Sequence, residues 1–430
     1  MWLRDQRCEE VVQKAWKEGK LTSTGSMLES CSEKCRTKLE AWNKMELGHV
    51  GRKVAEMQKW LEWIELQPPS PKINQELKST RVKLYCWLEK DDDIWRQCSR
   101  LNWFQSGDRN ISFFHVKASA RHKKNFIEGI LDANEVWHED DEKVEEVVVE
   151  YYKDLFTTSQ LSDFSNMIQT IQPKMTTSMN QLLTRDFTTA KVNVALKQMY
   201  PLKALGSDGM PSLFFQQFWA ISGKVVTATV LDFLNHGICP PDFNKTQIVL
   251  ILKVKTPKKV TDYRPISLSN VVYKIASKTV VDRLKKILPS IISDTQNAFV
   301  HGRLITDNVL VAFETMHHIS QKKGGKVREM ALKLDLSKAY DRVKWVCLDK
   351  IMEKLGFDVK WRNLIMQFVR TITYSIKING VPRGNIVPSR GICQGDPFIT
   401  FSFYLMCRGT LITNKICNGE WCNGGNCCLS

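Results

Sequence analysis

Ala331-Leu332-Lys333-Leu334-Asp335-Leu336-Ser337-Lys338-Ala339-Tyr340-Asp341 decides how this chain is read. Its first five residues predict a short, largely apolar strand that closes on a carboxylate, with a helix following as far as Gly356. A carboxylate at a strand end beside a turn is placed to hold Mg²⁺, which takes oxygen ligands and keeps several waters. Taken alone, an Asp in that position is more often a cap. Farther along, Tyr374-Ser375-Ile376-Lys377-Ile378-Asn379-Gly380-Val381 predicts a hairpin, because Asn-Gly favours a type I′ turn between alternating residues. A second unusual string follows, Arg390-Gly391-Ile392-Cys393-Gln394-Gly395-Asp396-Pro397, whose two glycines let backbone approach a ligand closely.

Upstream, Thr246 to Leu252 is a strand-like run that ends in the basic loop Lys253-Val254-Lys255-Thr256-Pro257-Lys258-Lys259. Val271 to Leu288 is expected to be helical, with Pro289 just beyond it. From about residue 190 onward, short strands alternate with helices, which is the pattern of an α/β (α+β) core with antiparallel pairing.

The N-terminal half differs. Residues from about 24 to 66 read as one long helix in which Val50, Val54, Met57, Leu61 and Ile64 form a one-sided stripe. Pro68-Pro69-Ser70-Pro71 stops it, and a second helix from about Lys72 to Glu89 carries Leu77, Arg81, Leu84 and Leu88 on one face. The pair predicts an antiparallel hairpin serving as core or partner contact. Next, Arg96, Arg100, Arg109, Lys117, Arg121, Lys123 and Lys124 interleave with Trp95, Trp103, Phe104, Phe113, Phe114 and Phe126. Cations serve phosphates and aromatic faces stack on bases, so this mixture suits nucleic acid; a buried aromatic cluster rimmed by cations is the competing reading. An acidic stretch, Glu135 to Glu150, and a Ser/Thr-rich one, Thr157 to Thr189, place a boundary near 150–190.

Composition narrows the classes. With 43% hydrophobic and 25% charged residues, the 430-residue chain is neither disordered throughout nor fibrous, and it is long enough for two or three domains. Its formal charge of +16 points to a polyanionic partner. No apolar run reaches membrane-spanning length, and the first residues are not a secretory signal, so the 13 cysteines read as reduced thiols and the localisation as nuclear or cytoplasmic.

These strings resemble the reverse transcriptase domain of LINE-type (non-LTR) retrotransposons, in the form common in plant genomes. Leu334 to Asp341 is similar to the family's first palm motif, Arg390 to Pro397 to its RGxxQGDP motif, and Tyr263-Arg264-Pro265-Ile266-Ser267-Leu268 to its fingers motif. Gln296 to Arg303 resembles the stretch after the fingers motif, and Lys203 to Gly209 the KAPGPDG entry to the domain. Ser106 to Asn110 is similar to the region between endonuclease and polymerase, and Met1-Trp2-Leu3-Arg4 to the end of the endonuclease. The resemblance implies a right-hand polymerase, fingers and partial palm, preceded by a helical region. Its partners would be an RNA template, a DNA primer and deoxynucleoside triphosphates, without a membrane. It further implies that Asp335 and the backbone carbonyl of Leu336 hold Mg²⁺ for two-metal phosphoryl transfer. Lys253 and Arg264 would contact the triphosphate, Tyr340 would lie under the sugar and exclude a 2′ hydroxyl, and Gln394 and Gly395 would line the template and nucleotide site.

The sequence also departs from the family. Catalysis of this kind needs further carboxylates, which the family draws from an F/YxDD hairpin, whereas after Asp396 this chain has a single acidic residue, Glu420. The resemblance therefore implies a truncated, catalytically dead polymerase, with a non-catalytic RNA- or DNA-binding relic as the alternative. A palm sheet lacking its last strands is expected to expose an unpaired edge and to be poorly stable. The C-terminal Cys417, Cys422, Cys427 and Cys428 are spaced unlike a zinc knuckle. The expected organisation is an endonuclease-junction remnant at 1–23, a helical hairpin at 24–94, a basic aromatic segment and linker at 95–190, fingers and partial palm at 191–409, and an unmatched Cys-rich tail at 410–430.

Overall fold

A computed structural model describes residues 5–23, 25–99, 116, 119–121, 123–158, 168–169, 171–292, 302–322 and 338–392. The chain divides into two compact units, Met1–Glu128 with Gln217–Gly223, and Gly129–Gln216 with Lys224–Ser430.

The first unit is helical. Helix α1 (Gln6–Thr22) starts where the Asp5 carboxylate accepts the Arg7 N–H, and α2 (Met27–Trp42) starts on the Ser26 hydroxyl, each side chain satisfying a donor that a helix start leaves open. The two helices meet at Gly19, where a Cβ would stand 2.5 Å from the Cys31 Cα. Around that contact Cys8, Val12, Trp16, Cys31, Cys35 and Leu39 are buried. Burial pushes the Cys8 and Cys31 thiols up to about 11 and Cys35 to about 12, so these are apolar packing groups.

Two helices stand where the sequence predicts one from 24 to 66. After a π-helical turn at Asn43–Leu47, Gly48 takes a positive φ of 54° and ends the first segment, and α3 (Val50–Glu65) begins anew. Its predicted stripe holds, with Val50, Val54 and Ile64 buried. Helix α4 (Pro71–Ser99) runs ten residues farther than expected. The hairpin is antiparallel: Arg81 pairs with Glu65 at 2.9 Å while Lys53 lies over the Trp87 ring, so positions late in α3 face positions early in α4.

In the second unit, β1 (Ile130–Leu131) and β2 (Trp137–His138) form a small antiparallel ribbon. Helix α5 (Asp141–Phe156) follows, capped by Asp140 and with Val144, Val148, Tyr152, Leu155 and Phe156 buried on one side. Helices α6 (Thr177–Thr184) and α7 (Thr189–Lys197) come next, and α8 (Ser212–Gln217) and α9 (Trp219–Leu231) span the division between the units. The main sheet holds β3 (Lys245–Leu252), β4 (Tyr263–Ser269), β5 (Thr373–Ile378) and β6 (Val381–Ile386) in the order β4-β3-β5-β6. Both hairpins are antiparallel, but the central β3–β5 pairing is parallel, which the sequence reading did not anticipate. Asn379 and Gly380 both have positive φ, 49° and 94°, as a type I′ turn requires.

Helix α10 (Val271–Leu284) is shorter than expected. Pro289 opens the next helix, α11 (Leu288–Ile291), since its missing N–H costs nothing at a helix start. Helices α12 (Ile305–Gln321), α13 (Trp345–Leu355) and α14 (Val359–Arg370) complete the described elements. Ile248, Leu250, Tyr374, Ile376 and Ile378 are buried on the sheet, and Phe233, Phe243, Tyr273 and Phe368 form an aromatic cluster with ring centroids 4.9 to 6.0 Å apart. Burying each such side chain contributes about 1.5–3 kcal/mol. The mixed helix-and-sheet class agrees with the sequence, while the expected strand at 331–335 lies outside the described residues. Cys8, Cys31, Cys35, Cys86 and Cys239 are free, but Cys347 is disulfide-bonded, which corrects the expectation that all the thiols stay reduced.

Candidate functional site

The described ends of the two motif strings meet. Lys344 and Arg390 form an antiparallel bridge, the Gly391 N–H donates to Val343 O at 2.8 Å, and the Ile392 N–H donates to Tyr340 O at 2.9 Å. The Trp345 indole adds a bond to Gly391 O at 2.7 Å. Gly391 has φ +92°, and a Cβ there would stand 2.7 Å from Asp341 O and 3.1 Å from the Phe156 ring. Here the close approach that the sequence assigned to a ligand is made by the protein's own backbone.

Asp341 is only 7% exposed, and burial pushes its carboxyl up to about 6, against the pull of Lys338, Lys253 and Arg342. Lys253 thus lies within electrostatic reach of the turn that carries Tyr340. It sits just past the end of β3, where its N–H donates to Asp262 O at 2.8 Å and its Nζ to Thr261 O at 2.9 Å. The Asp262 carboxylate ties the basic loop shut by accepting the N–H groups of Lys258 and Lys259, both at 2.9 Å, and these bonds hold it below the usual carboxylate range. Arg264 is exposed on β4 opposite Ile251, next to the Leu252–Tyr263 pair that precedes Lys253.

Helix α5 holds this assembly from one side. Lys338 Nζ donates to the Tyr151 hydroxyl and lies 4.5 Å from the centre of that ring. Burial lowers the Lys338 ammonium from its usual value, and Arg342 adds to the effect. At the helix C-terminus, Phe156 O accepts the N–H groups of Ser389 (2.9 Å) and Arg390 (3.1 Å), and Leu155 O accepts Arg390 Nε at 2.8 Å. Two backbone N–H groups and the Arg390 guanidinium therefore satisfy carbonyls that a helix end leaves open. Glu145 pairs with Arg383 of β6 at 3.0 Å, and Val149 packs so closely that a Cβ on Gly384 would stand 2.8 Å from it.

Of the residues singled out from the sequence, Lys253, Arg264 and Tyr340 are described, whereas Asp335, Leu336, Gln394 and Gly395 lie outside the described residues. In the basic aromatic segment, Arg121, Lys123 and Lys124 are exposed, Arg96 belongs to α4, and Arg100, Arg109 and Lys117 lie outside the described residues. Sequence reasoning missed Tyr151, Asp341 as a buried group, and Arg390 as a helix cap. The apolar stripe of α5 was readable at spacings of three and four, but an acidic flank masked it. A separate cleft of about 190 Å³, lined by Arg185, His236, Lys360 and Trp361 among others, shares no residue with this site.

Comparison with known proteins fits this convergence. Residues 256–408 match the family model described as reverse transcriptase (RNA-dependent DNA polymerase). The chain is 25% identical over 300 residues to the transposon TX1 uncharacterized 149 kDa protein of Xenopus laevis, covering 70% of this chain and 23% of that one. Residues 256–408 of this chain are thus similar to a reverse transcriptase domain. The retrotransposable-element R2 polyprotein of Nasonia vitripennis is 22% identical over 200 residues, 46% of this chain and 19% of that protein. The R2DM polyprotein of Drosophila melanogaster is 21% identical over 289 residues, 66% and 25% respectively. The chain thus spans a quarter or less of each of these relatives. The family match begins in the basic loop, so α5 and β3 precede it. No described helix is long and apolar enough to cross a membrane.

Proposed function

We propose that the second unit is the fingers and part of the palm of an RNA-directed DNA polymerase that extends a DNA primer on an RNA template. The junction of the two motif strings, with Lys253 in electrostatic reach of Asp341, carries this reading. In it Lys253 and Arg264 bind the triphosphate, the first as a point charge and the second as a planar fork. Tyr340 faces the sugar, and Gln394 and Gly395 line the template and nucleotide site.

Asp341 does not suit a metal, because it is buried and attended by three cations. Among the described residues no cluster of three or more His, Cys, Asp or Glu could hold one. The chemistry of Asp335 and the Leu336 carbonyl does suit Mg²⁺, which would offset the charge of the triphosphate. In this reading Asp335 is the carboxylate on which metal-dependent synthesis depends. Primer extension on an RNA template with Mg²⁺ or Mn²⁺ tests this. Synthesis abolished by Asp335→Asn would support these roles, and synthesis indifferent to it would refute them.

The exposure of Arg121, Lys123 and Lys124 favours a second activity, binding of RNA or DNA without chemistry. Binding to single-stranded RNA should then weaken with salt, with a log–log slope of about −0.7 per phosphate contacted, and be indifferent to Asp335→Asn.

A further inference from the structure

Helix α5 precedes the segment that matches the family, yet it touches both motif strings. Lys338, three residues past the end of the predicted strand, is a non-glycine residue with φ +53°. L-residues avoid that region because Cβ crowds the following carbonyl, and they keep it only where the surroundings hold them there. The Lys338 carbonyl accepts the N–H groups of Asp341 (3.0 Å) and Arg342 (3.2 Å), which closes a turn around Tyr340. Its ammonium, half-buried, is seated on the hydroxyl and ring of Tyr151. The far side of the same turn receives the Ile392 N–H on Tyr340 O, from a loop whose Arg390 is anchored to the end of α5. One helix thus grips the turn from both directions, and the part of it that reaches Lys338 is Tyr151.

We propose that Tyr151 is a positioning residue for nucleotide selection. By seating the Lys338 ammonium it fixes the backbone from which Tyr340 projects, and so sets how strictly the site rejects a 2′ hydroxyl. This rests on the reading of Tyr340 as the sugar-facing residue. Phenylalanine at 151 would keep the ring and lose the acceptor, leaving a half-buried ammonium without its hydrogen bond and the left-handed turn free to relax.

Two measurements on the full chain separate the parts of the claim. Hydrogen exchange reports the turn: Tyr151→Phe should speed exchange of the Asp341, Arg342 and Ile392 amides about tenfold and leave the β3 and β5 amides unchanged. Unchanged exchange, or a uniform rise across the unit, overturns the positioning role. Nucleotide selection is read without chemistry, as the concentrations of dGTP and GTP that stabilise a complex with a dideoxy-terminated primer on an RNA template. Wild type should favour dGTP, and Tyr151→Phe should compress that preference about tenfold with template–primer affinity unaltered. A preserved preference in a variant whose turn has loosened overturns the selectivity role. A wild-type chain that binds neither nucleotide refutes the polymerase reading and selectivity with it, while the exchange result still decides whether Tyr151 holds the turn.

Discussion

Replacing Asp341 by Asn should stabilise the second unit above pH 6 and do little at pH 4. Burial pushes the native carboxyl from its usual value near 3.8 up to about 6, since the residue is only 7% exposed. At 1.36 kcal/mol per unit, ionising it in place costs about 3 kcal/mol. A native pKa raised above the unfolded one means that the folded chain binds the proton more tightly. The contribution of Asp341 is therefore whole below about pH 4 and is lost as the pH rises through 6. Asn has the shape of the protonated acid and does not titrate, so its advantage should grow between pH 4 and 6 and then level off. Urea unfolding of both full-length proteins at unit pH steps gives the difference directly, since other groups titrate alike in the two. With slopes of about 1–3 kcal/mol/M, the midpoint should move by about 1 M or more. A difference that stays flat with pH would refute the reasoning. So would a wild type that gains on the variant above pH 6, because Lys253, Lys338 and Arg342 would then outweigh burial.

Gly391→Ala combines a forbidden φ with a Cβ 2.7 Å from Asp341 O, and should lower stability by about 2 kcal/mol or more and expose the Trp345 indole, measured by urea unfolding and fluorescence. Arg390→Met keeps the length of the side chain but removes its bond to Leu155 O, and should cost about 1–2 kcal/mol, with faster exchange at the end of α5. In the first unit, Gly19→Ala drives a methyl into the Cys31 backbone and should separate α1 from α2, visible as faster alkylation of Cys31 and Cys35.

Local order was legible where one residue type settles the backbone. Asn379-Gly380 specified its turn, Pro68 to Pro71 its helix break, and the stripe on α3 its buried face. Elements that depend on distant partners were not. Gly48 divides a continuous-looking helical pattern by its φ, and Pro289 starts a helix where it was read as ending one, because both residues serve helix ends of either direction. The parallel pairing of β3 with β5 leaves no local trace, since a strand's composition is silent on its neighbour. Of the site, Lys253 and Tyr340 stood out through their motifs. Tyr151 could not, being a tyrosine on an acidic helix whose partner lies 187 residues away.

That central pairing also bears on how the chain reaches its native state. β3–β4 and β5–β6 can each close as hairpins through contacts near in sequence, but joining them brings Lys245 to Thr373 and Val249 to Lys377. On a ribosome the first hairpin is complete more than a hundred residues before its parallel neighbour emerges, and β3 waits through that interval as an open edge. Such long-range closure is slow, and it exposes intermediates to other chains. Refolding should therefore show an early phase in which both hairpins form, and a later, concentration-sensitive one in which the sheet becomes whole.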